Sequence, residues 1–348
     1  MLVVLGASMT ACVDNRPTIV VYNWGEYMSI GEDGMRDINA EFTAATGIRV
    51  EYLTYQTNEE LYTMLSTGGM NIDVIFPSDY MIGRLIEEDM LEKLDFTNIP
   101  NAENIDEEFR NLAYDPTGEY SIPYMWGTVG IFYNSKHVSE ADVASQSWDL
   151  LWNEKYAGKV LMFDNPRDSL MIAQKKLGYS MNTTNEAEIR AAYDLLAQQK
   201  SKKVLQGYFM DQTISKMSTG EAWIAPYYAG DGADILTDNP DVRFYLPKEG
   251  TNYFFDAMCI PKACSNKEGA EAYINFLCQA EVSAANAEAI GYATPISAAK
   301  QYMDPEIVND PMFYPPSSTL QNTEVYVTLP TTVNKLIDDL WIDLKTRN

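Results

Sequence analysis

The chain has 348 residues, 46% of them hydrophobic, enough to bury a sizeable core and to form about two domains. With 25 Lys and Arg against 50 Asp and Glu, its net charge of −25 argues against nucleic acid, whose phosphates need cationic side chains in excess. A solvated acidic surface accounts for most of that charge, and a negative field would also steer a cationic ligand inward.

The N-terminus reads as an export signal or its remnant. Met1 to Ser8 is a short apolar run, followed by Met9-Thr10-Ala11-Cys12. A small residue before a Cys at the end of such a run resembles a lipobox, where the Cys is lipidated and becomes the mature N-terminus. Two features depart from that pattern. No Lys or Arg precedes Cys12, and Met9 stands where Leu is usual. Cys12 is the expected lipidation residue, with 1–16 as signal remnant and tether. No other stretch approaches the roughly 18 apolar residues that would span a bilayer.

Thr18-Ile19-Val20-Val21 predicts a buried strand, and Tyr22-Asn23-Trp24-Gly25-Glu26-Tyr27 follows it. Two large aromatics therefore flank one carboxylate at the carboxyl end of a strand, where ligands bind in open α/β sheets. Aromatic faces attract cations and a carboxylate holds an ammonium, so the stretch predicts a site for a small organic cation. Met35 to Phe42 has helical spacing and runs to Gly47, a plausible cap. Ile48 to Tyr55 alternates like a strand, and Thr57-Asn58-Glu59-Glu60 looks like a capping box opening a helix. Asp73 to Phe76 predicts another short strand, with Pro77-Ser78-Asp79-Tyr80 at its end. Asp79 fits a helix cap as well as a ligand contact.

The middle of the chain repeats the pattern. Val160 to Phe163 predicts a strand, and Asp164-Asn165-Pro166-Arg167-Asp168 leads into a helix over Ser169 to Leu177. Acidic residues in a first turn also suit the helix dipole, which leaves the role of Asp168 open. Ala222 to Tyr228 reads as a strand ending in Ala229-Gly230-Asp231, and Tyr253 to Asp256 runs into the apolar Ala257 to Ile260. Gly291-Tyr292-Ala293-Thr294-Pro295 predicts a loop. Beyond Cys12, the cysteines Cys259, Cys264 and Cys278 permit at most one internal disulfide, with Cys264–Cys278 one option. His137, the single histidine, gives almost no support for a catalytic triad or a metal site.

At this point the residues carry a family resemblance. From about Thr18 to Leu344 the chain resembles the polyamine-binding periplasmic proteins of ABC importers, the spermidine and putrescine receptors. The motifs are Tyr22-Asn23-Trp24, Pro77-Ser78, Tyr120 to Gly127, Lys176 to Ser180, Pro247-Lys248-Glu249-Gly250 and Gly291 to Pro295, in this order. The resemblance implies a two-lobed α/β periplasmic-binding-protein fold of type II, with the ligand in a cleft between lobes. It places 17–128 plus 256–300 in one lobe and 129–255 plus 301–348 in the other.

Carried over residue by residue, the resemblance implies that Trp24 and Tyr27 wall the cleft and Glu26 holds one amine. It matches Ser78 and Tyr80 to the second strand-end cluster, and Asp168 to the acid that meets the far end of the ligand. Tyr228 and Phe254 fall where spermidine-preferring members carry tryptophans, Asp256 matches their partner for a terminal amine, and Tyr292 is a further wall. Asn165 replaces an aspartate of spermidine receptors, and Val327 falls nearest to their contacting glutamine. Asp231 is similar to the aspartate with which putrescine-preferring members shorten the site. The implied function is capture of putrescine or spermidine, without cofactor or metal, by a monomer that is exported and lipid-anchored and delivers its ligand to a membrane ABC permease. The rival readings are a receptor of the same fold for an amino acid, thiamine, ferric iron or a sugar, and a glycoside hydrolase. An amino-acid site would need an Arg for the ligand carboxylate, and Arg167 is the candidate beside the site.

Overall fold

The structure, a computed structural model, describes residues 16–347. The leader and Cys12 lie outside the described residues. Nine strands follow one another among those described: β1 (Thr18–Trp24), β2 (Arg49–Tyr55), β3 (Val74–Ile75), β4 (Ser121–Asn134), β5 (Val160–Phe163), β6 (Leu205–Phe209), β7 (Ile224–Tyr228), β8 (Val242–Tyr245) and β9 (Tyr253–Cys259). Their order across the sheet is β2-β1-β3-β9-β4-β7-β5-β6, with β8 added to β4.

β4 is what joins the two halves. Its first eight residues, from Ser121 to Thr128, pair antiparallel with β9. From Val129 onward it pairs instead with β7 and β8. Nearly every residue of β4 is buried, as expected of a strand covered on both faces, whose sequence then loses its alternation. The register slips between Pro123 and Met125, where a proline without an N–H cannot complete the ladder.

The apolar side chains separate into two cores. One gathers Ile19, Val21, Phe42, Ile75, Phe255, Tyr273 and Leu277. The other gathers Val129, Phe132, Trp148, Met162, Leu196 and Ile224, with Leu329, Ile337 and Leu344 from the end of the chain. In the first half β1, β2 and β3 run parallel, and in the second β5 runs parallel to β6 and β7. Parallel neighbours put their carboxyl ends on one edge, so each half presents a set of strand ends toward the other.

Helix ends follow local chemistry. Thr57 Oγ1 accepts from Glu60 N at 3.1 Å, and the Glu60 carboxylate turns back to accept from Gln56 N at 2.8 Å, opening the helix Asn58–Thr67. The helix expected from Met35 starts later, at Ile38, because the Asp37 carboxylate caps Ala40 N at 2.9 Å. Its end is as expected, with Gly47 left-handed at φ 75°. The helix expected from Ser169 starts earlier, at Pro166, with Asn165 accepting from Arg167 N and Asp168 N at 2.9 and 3.2 Å. Cys259, Cys264 and Cys278 are all free, so no Cys264–Cys278 bond forms. His137 stacks on Trp223, their rings 4.3 Å apart. Among the described residues no helix is long and apolar enough to cross a membrane.

Candidate functional site

β1 and β3 end side by side, which brings Trp24 to Tyr27 and Pro77 to Tyr80 to one edge. There β9 supplies Asp256, bridged to Ser78. Tyr27 OH donates to Asp256 Oδ2 at 2.8 Å and Ser78 Oγ to Oδ1 at 2.7 Å. The carboxylate is 7% exposed and forms no ion pair among the described residues. Burial pushes it up to about 6, against the pull of its two hydroxyl partners.

The second half answers with two carboxylates. Asp168, in the first turn of the helix Pro166–Lys176, accepts from Tyr228 OH at 2.7 Å and Tyr326 OH at 3.1 Å. Burial raises this carboxyl, and the Tyr228 and Tyr326 hydroxyls and the nearby Arg167 charge pull it back. Arg167 lies over the Tyr326 ring at 4.4 Å and donates to Asn182 Oδ1 at 3.4 Å. Asp231 follows β7 and accepts from Tyr292 OH at 2.8 Å, a bond that crosses from one half to the other. Burial pushes Asp231 up to about 6, with Asp211, Asp234 and Asp256 adding to the rise. This crossing depends on Gly230. A Cβ there would stand 2.7 Å from Tyr292 Cζ and 2.8 Å from Gly291 O.

A string of rings connects these carboxylates. Tyr27 meets Tyr292 at 5.6 Å between centroids, Tyr292 meets Phe254 at 5.8 Å, and Phe254 meets Tyr228 at 5.6 Å, all edge to face. Gly127 on β4 makes room for it, since a Cβ would lie 2.6 Å from Phe254 Cζ. Thus Tyr27, Ser78, Asp168, Tyr228, Asp231, Phe254, Asp256 and Tyr292 form one connected cluster. Its chemistry is buried negative charge spaced along an aromatic wall.

Three expected site residues stand outside that network of bonds. Glu26 is exposed, left-handed at φ 53°, and its carboxylate bonds to no described residue. Trp24 is half-buried, packs on Tyr55 at 4.7 Å and donates its Nε1 to Phe76 O at 2.7 Å. Tyr80 is held by Asn58, whose Nδ2 donates to its hydroxyl at 3.0 Å, and by Glu59 at 3.2 Å. Asn165 caps the helix Pro166–Lys176 through its amide oxygen, a role an aspartate could also fill.

One buried group was missed from sequence, and a second, Asp79, was left between two roles. Tyr326, one residue before the expected Val327, is the one that reaches Asp168, while Val327 N donates to Asn182 at 3.1 Å. No strand or motif precedes Tyr326 to single it out. Asp79 is buried, accepting from Tyr80 N at 2.7 Å and Phe255 N at 3.4 Å, and burial holds its carboxyl well above the usual range. Asp79 is the first residue of the helix Asp79–Glu87 rather than its cap, which is Ser78.

Residues 37–315 match the family described as bacterial extracellular solute-binding protein. The chain belongs to that family. A solute-binding protein needs a cleft rather than a catalytic centre, and this one is not an enzyme. It is 36% identical over 321 residues to the spermidine/putrescine-binding periplasmic protein of Escherichia coli K12, covering 92% of this chain and 89% of that one. It is 31% identical over 356 residues to a putrescine-binding periplasmic protein of Pseudomonas aeruginosa, covering 98% and 95%. Among solved structures, the spermidine/putrescine ABC transporter substrate-binding protein of Streptococcus pneumoniae superposes with a TM-score of 0.85 at 35% identity, over 94% of this chain and 98% of that one. These likenesses, with the two cores joined by β4, identify the fold of this solute-binding protein as the two-lobed type II periplasmic-binding-protein fold.

Proposed function

We propose that this protein is the polyamine-capturing component of an ABC importer, taking putrescine or spermidine outside the cytoplasm and handing it to a membrane permease. The observation that carries the reading is Asp256 together with Asp231: two carboxylates, set on an aromatic string, with no cationic side chain paired to either among the described residues. A carboxylate withdrawn from water without a partner is costly, and the cheapest remedy is a cation supplied by the ligand. A polyamine fits because it is an alkyl rod with charged ends, needing apolar walls and spaced acids together. Charged hydrogen bonds of about 1.5–3 kcal/mol each and cation–π contacts of about 0.5–2 sum to micromolar binding, about −8 kcal/mol, after desolvation.

In this reading Tyr27, Phe254, Tyr292 and Tyr228 form the sleeve, Asp256 and Asp231 hold ammoniums, and Ser78 orients Asp256. Trp24, Glu26 and Tyr80 line the mouth, and Glu26 meets the ligand while it is still partly hydrated. The lobes in this reading are 17–128 plus 256–300 and 129–255 plus 301–348, and Met303 and Tyr314, early in that last segment, still lean on the first core. The protein works as a monomer, exported and held to the membrane by lipid on Cys12. An amino-acid receptor is disfavoured because Arg167 is engaged with Tyr326 and Asn182.

Calorimetric titration of the purified, ligand-free protein with putrescine, spermidine, glucose and glycine tests this. Saturable heat with a polyamine alone supports it. Heat with glucose or glycine, or none with either polyamine on folded protein, sinks it.

A further inference from the structure

We infer that Tyr326 sets the length of ligand this cleft accepts, sealing its Asp168 end against a third ammonium so that a diamine is preferred to a triamine. The inference rests on the polyamine reading above.

The two ends of the ring string differ in what is already there. At Asp256 and Asp231 no cation is paired. At Asp168 both oxygens accept tyrosine hydroxyls, and the carboxylate is 4% exposed. Tyr326, itself buried, covers one of those oxygens with its hydroxyl while its ring carries the Arg167 guanidinium on its face. A resident cation thus occupies the end of the cleft that a longer ligand's extra ammonium would have to reach. Placing a second cation beside Arg167 would add like-charge repulsion in a poorly solvated space.

Tyr326 is also held firmly enough to act as a wall. It rides on the segment 322–328, whose backbone is laced to β9 and the residues just before it by Tyr253 N to Glu324 O at 2.8 Å and Glu324 N to Thr251 O at 3.1 Å. The Glu324 carboxylate takes a bond from Ser180 and an ion pair from the buried Lys175, whose ammonium also reaches Asn322 O at 2.8 Å. Asn182 brackets the tyrosine, giving Nδ2 to Val325 O at 2.8 Å and accepting from Val327 N at 3.1 Å. Thr328 then ties the segment to the opposite lobe through Tyr80 O at 3.1 Å. With its backbone pinned on both flanks, Tyr326 can swing aside for a longer ligand only by giving up its own bond to the buried Asp168 and its stacking under Arg167.

Titrating the purified protein with putrescine and with spermidine, alongside Tyr326→Ala and Tyr326→Phe, decides the matter. The wild type is expected to bind putrescine at least about tenfold more tightly than spermidine. Tyr326→Ala should move that ratio about tenfold or more toward spermidine, through a gain in spermidine affinity. Tyr326→Phe keeps the ring and should keep the preference, which separates a wall from a lost hydrogen bond. A wild type that binds spermidine as well as putrescine overturns the inference whether or not the variants fold. So does a folded Tyr326→Ala with an unchanged ratio. A wild type that binds neither polyamine is a different result, since it removes the polyamine reading itself.

Discussion

Asp256, within β9 of one lobe, and Asp168, in a helix's first turn in the other, share a hydroxyl-bonded setting and differ in the charge beside them. Each is buried at the edge where strands end, and each accepts two hydroxyls, from Tyr27 and Ser78 in one case and from Tyr228 and Tyr326 in the other. Arg167 stands near Asp168, whereas Asp256 has no cation paired to it. Hydroxyl donors alone leave Asp256 raised by burial and without a countercharge among the described residues. The corner near Arg167 is closer to self-sufficient. Two carboxylates that each accept a pair of hydroxyls thereby differ in whether a guanidinium stands near them.

Replacing the acids tests that contrast most severely. Asp256→Asn should weaken putrescine binding by on the order of 100-fold or more, because it removes the charge the ammonium answers. Its melting temperature at pH 7.5 should be no lower than wild type, since a buried unpaired charge is removed. A variant that binds normally would dissolve the distinction between the two corners.

Acid provides the next test without mutation. Asp256 and Asp231 both sit at about 6, above the ordinary 3.8, so the ligand-free native state binds more protons than the unfolded chain between those values. Ligand-free stability from these groups is therefore fully present below about 4 and is lost as pH rises through about 6. Binding runs the other way, because ammoniums need both carboxylates ionised. Between pH 7.5 and pH 5 affinity should fall by up to about 100-fold, roughly tenfold for each acid, while the ligand-free melting temperature rises. Calorimetry and thermal melts over that range would expose a failure of either sign.

Smaller effects sharpen the picture. Asp231→Asn should cost about tenfold, because Asp231 is only partly buried and water shares its solvation. Asp231→Ala, which removes the acceptor itself, also breaks the bond from Tyr292 across the lobes, and small-angle scattering of the ligand-free protein should register a more open form. Glu26→Gln should cost no more than about threefold, in keeping with an exposed carboxylate that screening already weakens. A loss as large as that of Asp256→Asn would mean that Glu26 folds into the cleft with the ligand.

Much of this architecture was legible in the linear chain. A β-branched run marked β1, apolar runs marked β5 and β9, the Thr57 capping box marked a helix start, and the aromatic and acidic clusters after strands marked residues that the fold gathers together. Each of these signals is local, carried by side-chain periodicity or by a hydrogen bond a few residues long. Asn165 shows how little a string position says about a role: in the fold its amide oxygen caps a helix. The helix start at Ile38 was misjudged for a similar reason, since apolar spacing continues past the point where Asp37 turns the backbone.

What only the tertiary structure decided is which acids lack a cation. The pairing of Tyr27 with Asp256 spans 229 residues and that of Tyr326 with Asp168 spans 158, distances over which no periodicity carries information. Burial, and with it the protonation range of Asp231 and Asp256, arises only once the chain has folded. The sequence determined the fold, the family and the chemical character of the cleft, because these depend on residue type and local spacing. Charge balance at each carboxylate depends on which side chains the folded chain sets within a few ångströms of it, and that was decided in three dimensions.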